Sequence, residues 1–157
     1  MSFPMHAFKF VRMSDAAPGS LLYCQGNWSF KLTPDVDGNE QMIFLTGDHA
    51  GSVSKVPGRD GLTPAAPYEL AIYVDSIDGS KVPQKLPAVS FGPKGTIIHG
   101  HQWDHHRSPV AVQMDGSHSE SDGQEYNFLP SFSLWLVDAD KSRVGNNPIV
   151  SIGQATP

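Results

Sequence analysis

The chain has 157 residues, with 16 acidic against 11 basic side chains and a net charge of −5. Its cations are spread from Lys9 to Arg143 without a cluster. That argues against nucleic acid and against anionic membranes as partners, because both require concentrated positive charge. A single cysteine, Cys24, excludes an intrachain disulfide and a cysteine-based zinc site. The length suits one domain over residues 1–157 that buries roughly 70% of its unfolded surface and needs no covalent staple.

MSFPMHAFKF, at the amino terminus, has no basic segment followed by a long apolar run. No secretory signal is therefore expected, and a cytoplasmic location is. HAFKFVRM gives the first expected strand. In SLLYCQG, Cys24 lies in an apolar run, where a small buried hydrophobe is the expected role. GNWSFKL alternates Trp28, Phe30 and Leu32 on one face with Ser29 and Lys31 on the other, the period of a half-buried strand. DVDGNE spaces acidic groups as calcium loops do but lacks the glycine and distal glutamate of such a loop, so it reads as a turn.

QMIFLT is a continuous apolar run, the pattern of a strand covered on both faces. The stretch from Gly47 to Pro67, GDHAGSVSKVPGRDGLTPAAP, reads as an excursion of about twenty residues carrying His49. YELAIYVD puts Tyr68, Leu70, Ile72 and Val74 on one face. GTIIH and PVAVQM follow, the latter grouping Val110, Val112 and Met114. DGSHSESDGQE, Asp115 to Glu125, is an acidic loop carrying His118. SFSLWLVD points Phe132, Leu134 and Leu136 inward, with Trp135 on a second, partly apolar face. DADKS is a turn, and PIVSIG is the last strand.

The longest apolar runs, MIFL and LWLV, fall far short of the roughly 20 residues that span a bilayer, so no membrane segment is expected. No stretch keeps helical spacing without a glycine or proline interrupting it. Five Asp-Gly dipeptides mark tight turns. Together these features predict an all-β fold with little or no helix, an antiparallel β-sandwich or jelly roll of about nine strands.

HGHQWDHH, His99 to His106, packs four of the seven histidines into eight residues. If GTIIH continues as a strand to His101, His99 and His101 share a face, with Cα atoms roughly 6.5 Å apart. Two imidazoles at that separation converge on a divalent transition metal such as zinc. His105 or His106 offers a third ligand, His49 or His118 a closing one, and Asp104 an acceptor that orients a ring. This arrangement resembles the cupin family, small jelly-roll barrels with a strand-borne His-x-His. The resemblance implies a metal-binding protein or metalloenzyme in which His99 and His101 hold the metal. His105 stands where that family has glutamate, and Pro93 where it has glycine.

No nucleophile elbow, phosphate loop or dinucleotide fingerprint is present. The first expectation is accordingly a non-catalytic binding or assembly module, able to serve as a structural accessory of a larger particle. Unpaired sheet edges would supply self-association into a homo-oligomer. Trp103 and Trp135 would stack on a small-molecule or carbohydrate ligand, since an aromatic face suits the apolar face of a sugar ring.

Overall fold

Strand and turn make up nearly all of the computed structural model, which describes residues 4–81, 85–93, 95–119, 127–129 and 131–153. Thirteen strands follow in chain order: β1 (Phe8–Arg12), β2 (Leu21–Cys24), β3 (Asn27–Lys31), β4 (Gln41–Phe44), β5 (Ser52–Lys55), β6 (Asp60–Pro64) and β7 (Glu69–Tyr73) come first. The rest are β8 (Ala88–Gly92), β9 (Gly95–Gln102), β10 (Pro109–Gln113), β11 (Phe128–Leu129), β12 (Phe132–Val137) and β13 (Val150–Ile152). The helical content among the described residues is two single turns of 3₁₀ helix, Met5–Ala7 and Met13–Asp15. None of it is long and apolar enough to cross a membrane.

The strands form two sheets. The larger has the order β1-β6-β2-β3-β4-β5-β9-β8-β11, with β10 on the other side of β9, and the smaller has the order β13-β12-β7. Among the described residues, all strand pairings are antiparallel except β5 with β9. One apolar core joins them: Trp28, Phe30, Ile98 and Val112 come from the larger sheet, and Leu134 and Leu136 from the smaller. Tyr68, Leu70, Ile72 and Val74 pack against this core on one face, as the alternation in YELAIYVD predicts.

The count exceeds the about nine strands expected, and the extra ones have weak local signatures. β5 and β6 lie inside the stretch from Gly47 to Pro67, which therefore is not an irregular excursion. SVSK carries only one large apolar side chain, and DGLTP opens on a turn dipeptide and closes on proline. Remote partners nevertheless complete their ladders: β5 joins β4 to β9, and β6 lies between β1 and β2. Asp60-Gly61 is thus strand rather than turn. A Cβ on Gly61 would stand 3.0 Å from the Tyr23 carbonyl and 3.1 Å from Met13, so the side chain's absence lets Met13 settle.

Asp37-Gly38 and Asp115-Gly116 do make turns, with glycine φ of +82° and +87°. Asp122-Gly123 lies outside the described residues, as does most of the acidic loop's second half. Met114 is exposed rather than grouped with buried Val110 and Val112, because β10 stops at Gln113 before the Asp115-Gly116 turn.

β3 departs most from the half-buried reading. Trp28, Phe30 and Leu32 are buried as expected, but Ser29 and Lys31, expected to face solvent, are buried too. A second apolar cluster of Met13, Ala16, Leu22 and Met42 covers that face. The Lys31 ammonium, fully enclosed, donates to the carbonyls of Met13 at 2.9 Å, Ser14 at 3.1 Å and Ala16 at 3.1 Å. Glu40 Oε2 completes the shell at 3.1 Å. A buried ammonium is tolerated when its donors are used, and here peptide oxygens use three.

Replacing Lys31 with Met keeps the length and removes every donor. It should lower unfolding stability by about 3 kcal/mol or more, since buried carbonyls lose their partner. Glu40→Gln should cost clearly less than Lys31→Met, because the glutamine amide oxygen can still accept from the enclosed ammonium and the three peptide carbonyls stay in place. Urea unfolding of both variants checks this; equal midpoints for Lys31→Met and wild type would refute it.

Candidate functional site at the β9–β10 tip

β9 carries the histidine-rich stretch out of the core. It runs from Gly95 to Gln102, so His99 and His101 do share a face. Their surroundings differ. His99 is only 6% exposed. Its Nε2 lies 2.7 Å from Ser90 Oγ on neighbouring β8, and its ring meets Phe128 edge-on at 4.6 Å. Burial pushes its pKa down to about 4, so the ring is neutral at physiological pH. His101, two residues nearer the tip, is half-buried, and its Nδ1–H donates to the Gln102 carbonyl at 3.0 Å.

Gly100 between them permits this placement. A Cβ there would run into the Gly51 carbonyl and Ile43 Cδ1, where β5 and β4 crowd the opposite face. His101 N–H in turn donates to Gly51 O at 2.7 Å. The glycine in His-Gly-His is therefore demanded by packing.

Past Gln102 the chain turns, and Asp104 organises the turn. One carboxylate oxygen accepts the backbone N–H of His106 at 3.0 Å and of Ser108 at 3.2 Å; the other accepts the Ser108 hydroxyl at 3.1 Å. The Ser108 backbone bond, then its hydroxyl, then the His106 N–H hold this carboxyl below the usual range. Both oxygens thus serve the loop itself, and among the described residues Asp104 orients no imidazole ring. Arg107 closes the turn with φ +46°, its N–H on the Asp104 carbonyl at 3.2 Å. A non-glycine residue in the left-handed region marks a backbone held by its surroundings.

His105 and His106 stand exposed on this tip. His49, from the β4–β5 connection, comes to it from a distant part of the sequence. Its ring meets Trp103 edge-to-face at 5.1 Å and 89°. His118 is exposed and follows β10, its backbone bridged to Val112. Among the described residues, no three histidine, cysteine or acidic side chains group where they could hold a metal ion. The tip does gather Gln102, Trp103, Asp104, His105 and Arg107 around an open recess of about 580 Å³. Trp103 is 65% exposed there.

Trp135 is in a different state. The Arg143 guanidinium lies 4.5 Å over its ring and 5.4 Å over Tyr73, so the ring is occupied by a cation of its own chain. Ser90, Gln102 and Arg107 belong to these surroundings although sequence reasoning passed over them. The apolar run AVSF before GTIIH was the available sign of a strand bearing Ser90. For Arg107, proximity to Trp103 was the only sign.

No protein-family model matches the chain, and no curated protein matches it.

The buried imidazole makes stability depend on pH. The unfolded chain binds a proton with a pKa near 6.5, whereas folded His99 does so only near 4. Its contribution is therefore complete above pH 6.5 and is lost as pH falls toward 4, by roughly 2–3 kcal/mol at pH 4.5. Denaturant unfolding of wild type and His99→Leu between pH 4.5 and 7.5 should show this difference in slope; parallel curves would exclude it. EDTA should leave the profile in place, whereas a lower melting temperature on chelation would assign these imidazoles to a metal.

Proposed function

We propose that the protein is a non-catalytic binding module, a two-sheet β-structure that offers Trp103 to a carbohydrate-type ligand. The observation that carries this reading is an aromatic face left 65% exposed on a loop whose polar groups already hold its shape. Large apolar surface is normally withdrawn from water, and an exposed tryptophan beside convergent polar groups suits a ligand with one apolar and one hydroxylated side. The perpendicular contact with His49 restrains the indole before binding, which lowers the ordering penalty. Gln102, His105 and Arg107 add polar reach around the same recess. The Ser90–His99 pair, whose side chains have the types of a nucleophile and base, is closed from solvent and serves the core on this reading.

Affinity electrophoresis through gels holding soluble β-glucan, xylan or polygalacturonate tests it. Wild type should be retarded in at least one gel, and Trp103→Ala should migrate freely with stability changed by no more than about 0.5 kcal/mol. Trp135→Ala should remain retarded. Free migration of wild type in all three gels would remove the carbohydrate reading.

Assembly is the second part of the proposal, and Phe10 favours it. β1 ends the larger sheet, and its exposed Phe10 retains 75% of its surface. The bonds Ala65 N–H to Ala7 O and Met13 N–H to Arg59 O frame the β1–β6 ladder. By antiparallel alternation, Lys9 and Val11 then bond to β6, and the peptide groups of Phe10 point away from the sheet. A second copy pairing antiparallel about Phe10 would set Phe10 against Phe10, Lys9 against Val11 and Phe8 against Arg12. No like charges would then stand directly opposed. Light scattering should find a dimer that Phe10→Glu dissociates; a wild-type monomer at high concentration would defeat this part alone.

A further inference from the structure

A second recess, sharing no lining residue with the one at the tip, lies on the outer face of β2, β3 and β4. It is a cavity of about 240 Å³, smaller than the roughly 300–1,000 Å³ of sites for drug-sized ligands. The sequence explains it. Ser29 and Cys24 are small side chains on the outward rows of β3 and β2, so the sheet is shallow there. Met13 and the Pro57–Arg59 segment arch over the depression. Met13 is held in place from behind, since its carbonyl binds the Lys31 ammonium and its N–H binds the Arg59 carbonyl.

The lining has a definite chemistry. Met13 and Met42, both buried, and Phe44 form an apolar wall, and thioethers adapt their shape to what they touch. Ser29, 3% exposed, directs a hydroxyl into this region, with only a long 3.5 Å contact to the Leu22 carbonyl. Arg59 supplies the sole charge among the lining residues, and it makes no ion pair among the described residues. Among the described residues, no acidic side chain lines the cavity. Gln25 and Asn27 contribute amide groups at the same opening.

We propose that this cavity is a binding site for a small carboxylate with an apolar body, the body lying against Met13, Met42 and Phe44 and the carboxylate meeting Arg59. The planar guanidinium of Arg59, exposed at the cavity mouth, matches a carboxylate with two parallel hydrogen bonds. A cationic ligand is disfavoured by Arg59 with no carboxylate to offset it. A neutral apolar ligand would gain nothing from Arg59, which stays hydrated at the mouth. The size limits the body to one ring or a short chain. This site is separate from the Trp103 recess, so it stands whether or not the tip binds sugar.

Cys24 is half-buried in the lining, with its Sγ 3.7 Å from the Asp60 carbonyl, and reports occupancy. Calorimetric titration of the whole chain with phenylacetate and hexanoate, each beside its neutral amide, tests the proposal. At least one acid should bind, slow the alkylation of Cys24 by iodoacetamide, and bind about tenfold or more tightly than its amide. Arg59→Met, a surface change that leaves the core intact, should bring the acid down to the affinity of the amide. Equal affinity for acid and amide, or an acid affinity unchanged in Arg59→Met, would overturn it. So would the absence of both heat and Cys24 protection with all four probes.

Discussion

The Lys31 ammonium determines much of what surrounds it. Three peptide carbonyls from the Met13–Ala16 segment converge on it, and Glu40 binds it from the approach to β4. Without that cation the carbonyls would face an apolar layer with no donor. With it, the short 3₁₀ turn packs flat on the outer face of β3, and Met13 and Ala16 join Leu22 and Met42 in a second apolar cluster. The same contact places Met13 over the depression left by Ser29 and Cys24. One ion shell therefore both closes a sheet face and walls a cavity.

β9 links the larger sheet to the tip that carries Trp103. β10 flanks it on one side and β8 on the other, and β5 continues beyond β8 in parallel. The crowding of Gly51 and Ile43 leaves room for only a hydrogen on residue 100. Such a strand divides the histidine-rich stretch. His99 is sealed against Ser90 and Phe128 and kept neutral, while His105 and His106 lie past the end of the strand in solvent. Residues adjacent in sequence thus enter media of very different polarity, and their chemistry separates.

Trp103 and Trp135 show how context assigns a role to one residue type. Trp135 stands outward on β12, where Arg143 reaches back from the following turn and covers it. Trp103 lies beyond the last ladder bond of β9. His49 meets its ring at a right angle, and Trp103 remains 65% exposed. The Asp104 carboxylate stabilises this display by binding the turn's own N–H groups. The loop keeps its form while its arginine, glutamine and histidine side chains remain turned to the recess. In the other cavity, Arg59 is likewise the charge set beside apolar surface.

The sequence alone determined the all-β character, the inward faces of YELAIYVD and SFSLWLVD, and the continuation of GTIIH to His101. These follow from side-chain alternation, which is local and needs no partner to be read. It also marked Trp103 as a residue for ligand contact and HGHQWDHH as the stretch to examine. Tertiary structure decided the rest. β5 and β6 exist because distant strands accept their hydrogen bonds, and no local pattern carries that information. Lys31 turns inward because a segment fifteen to eighteen residues earlier brings it carbonyls. His49 reaches Trp103 through the parallel pairing of β5 with β9, and Arg59 meets Met13 across the β1–β6 ladder. Hydrophobic period fixes which face a residue takes; only the meeting of remote strands determines what waits on that face.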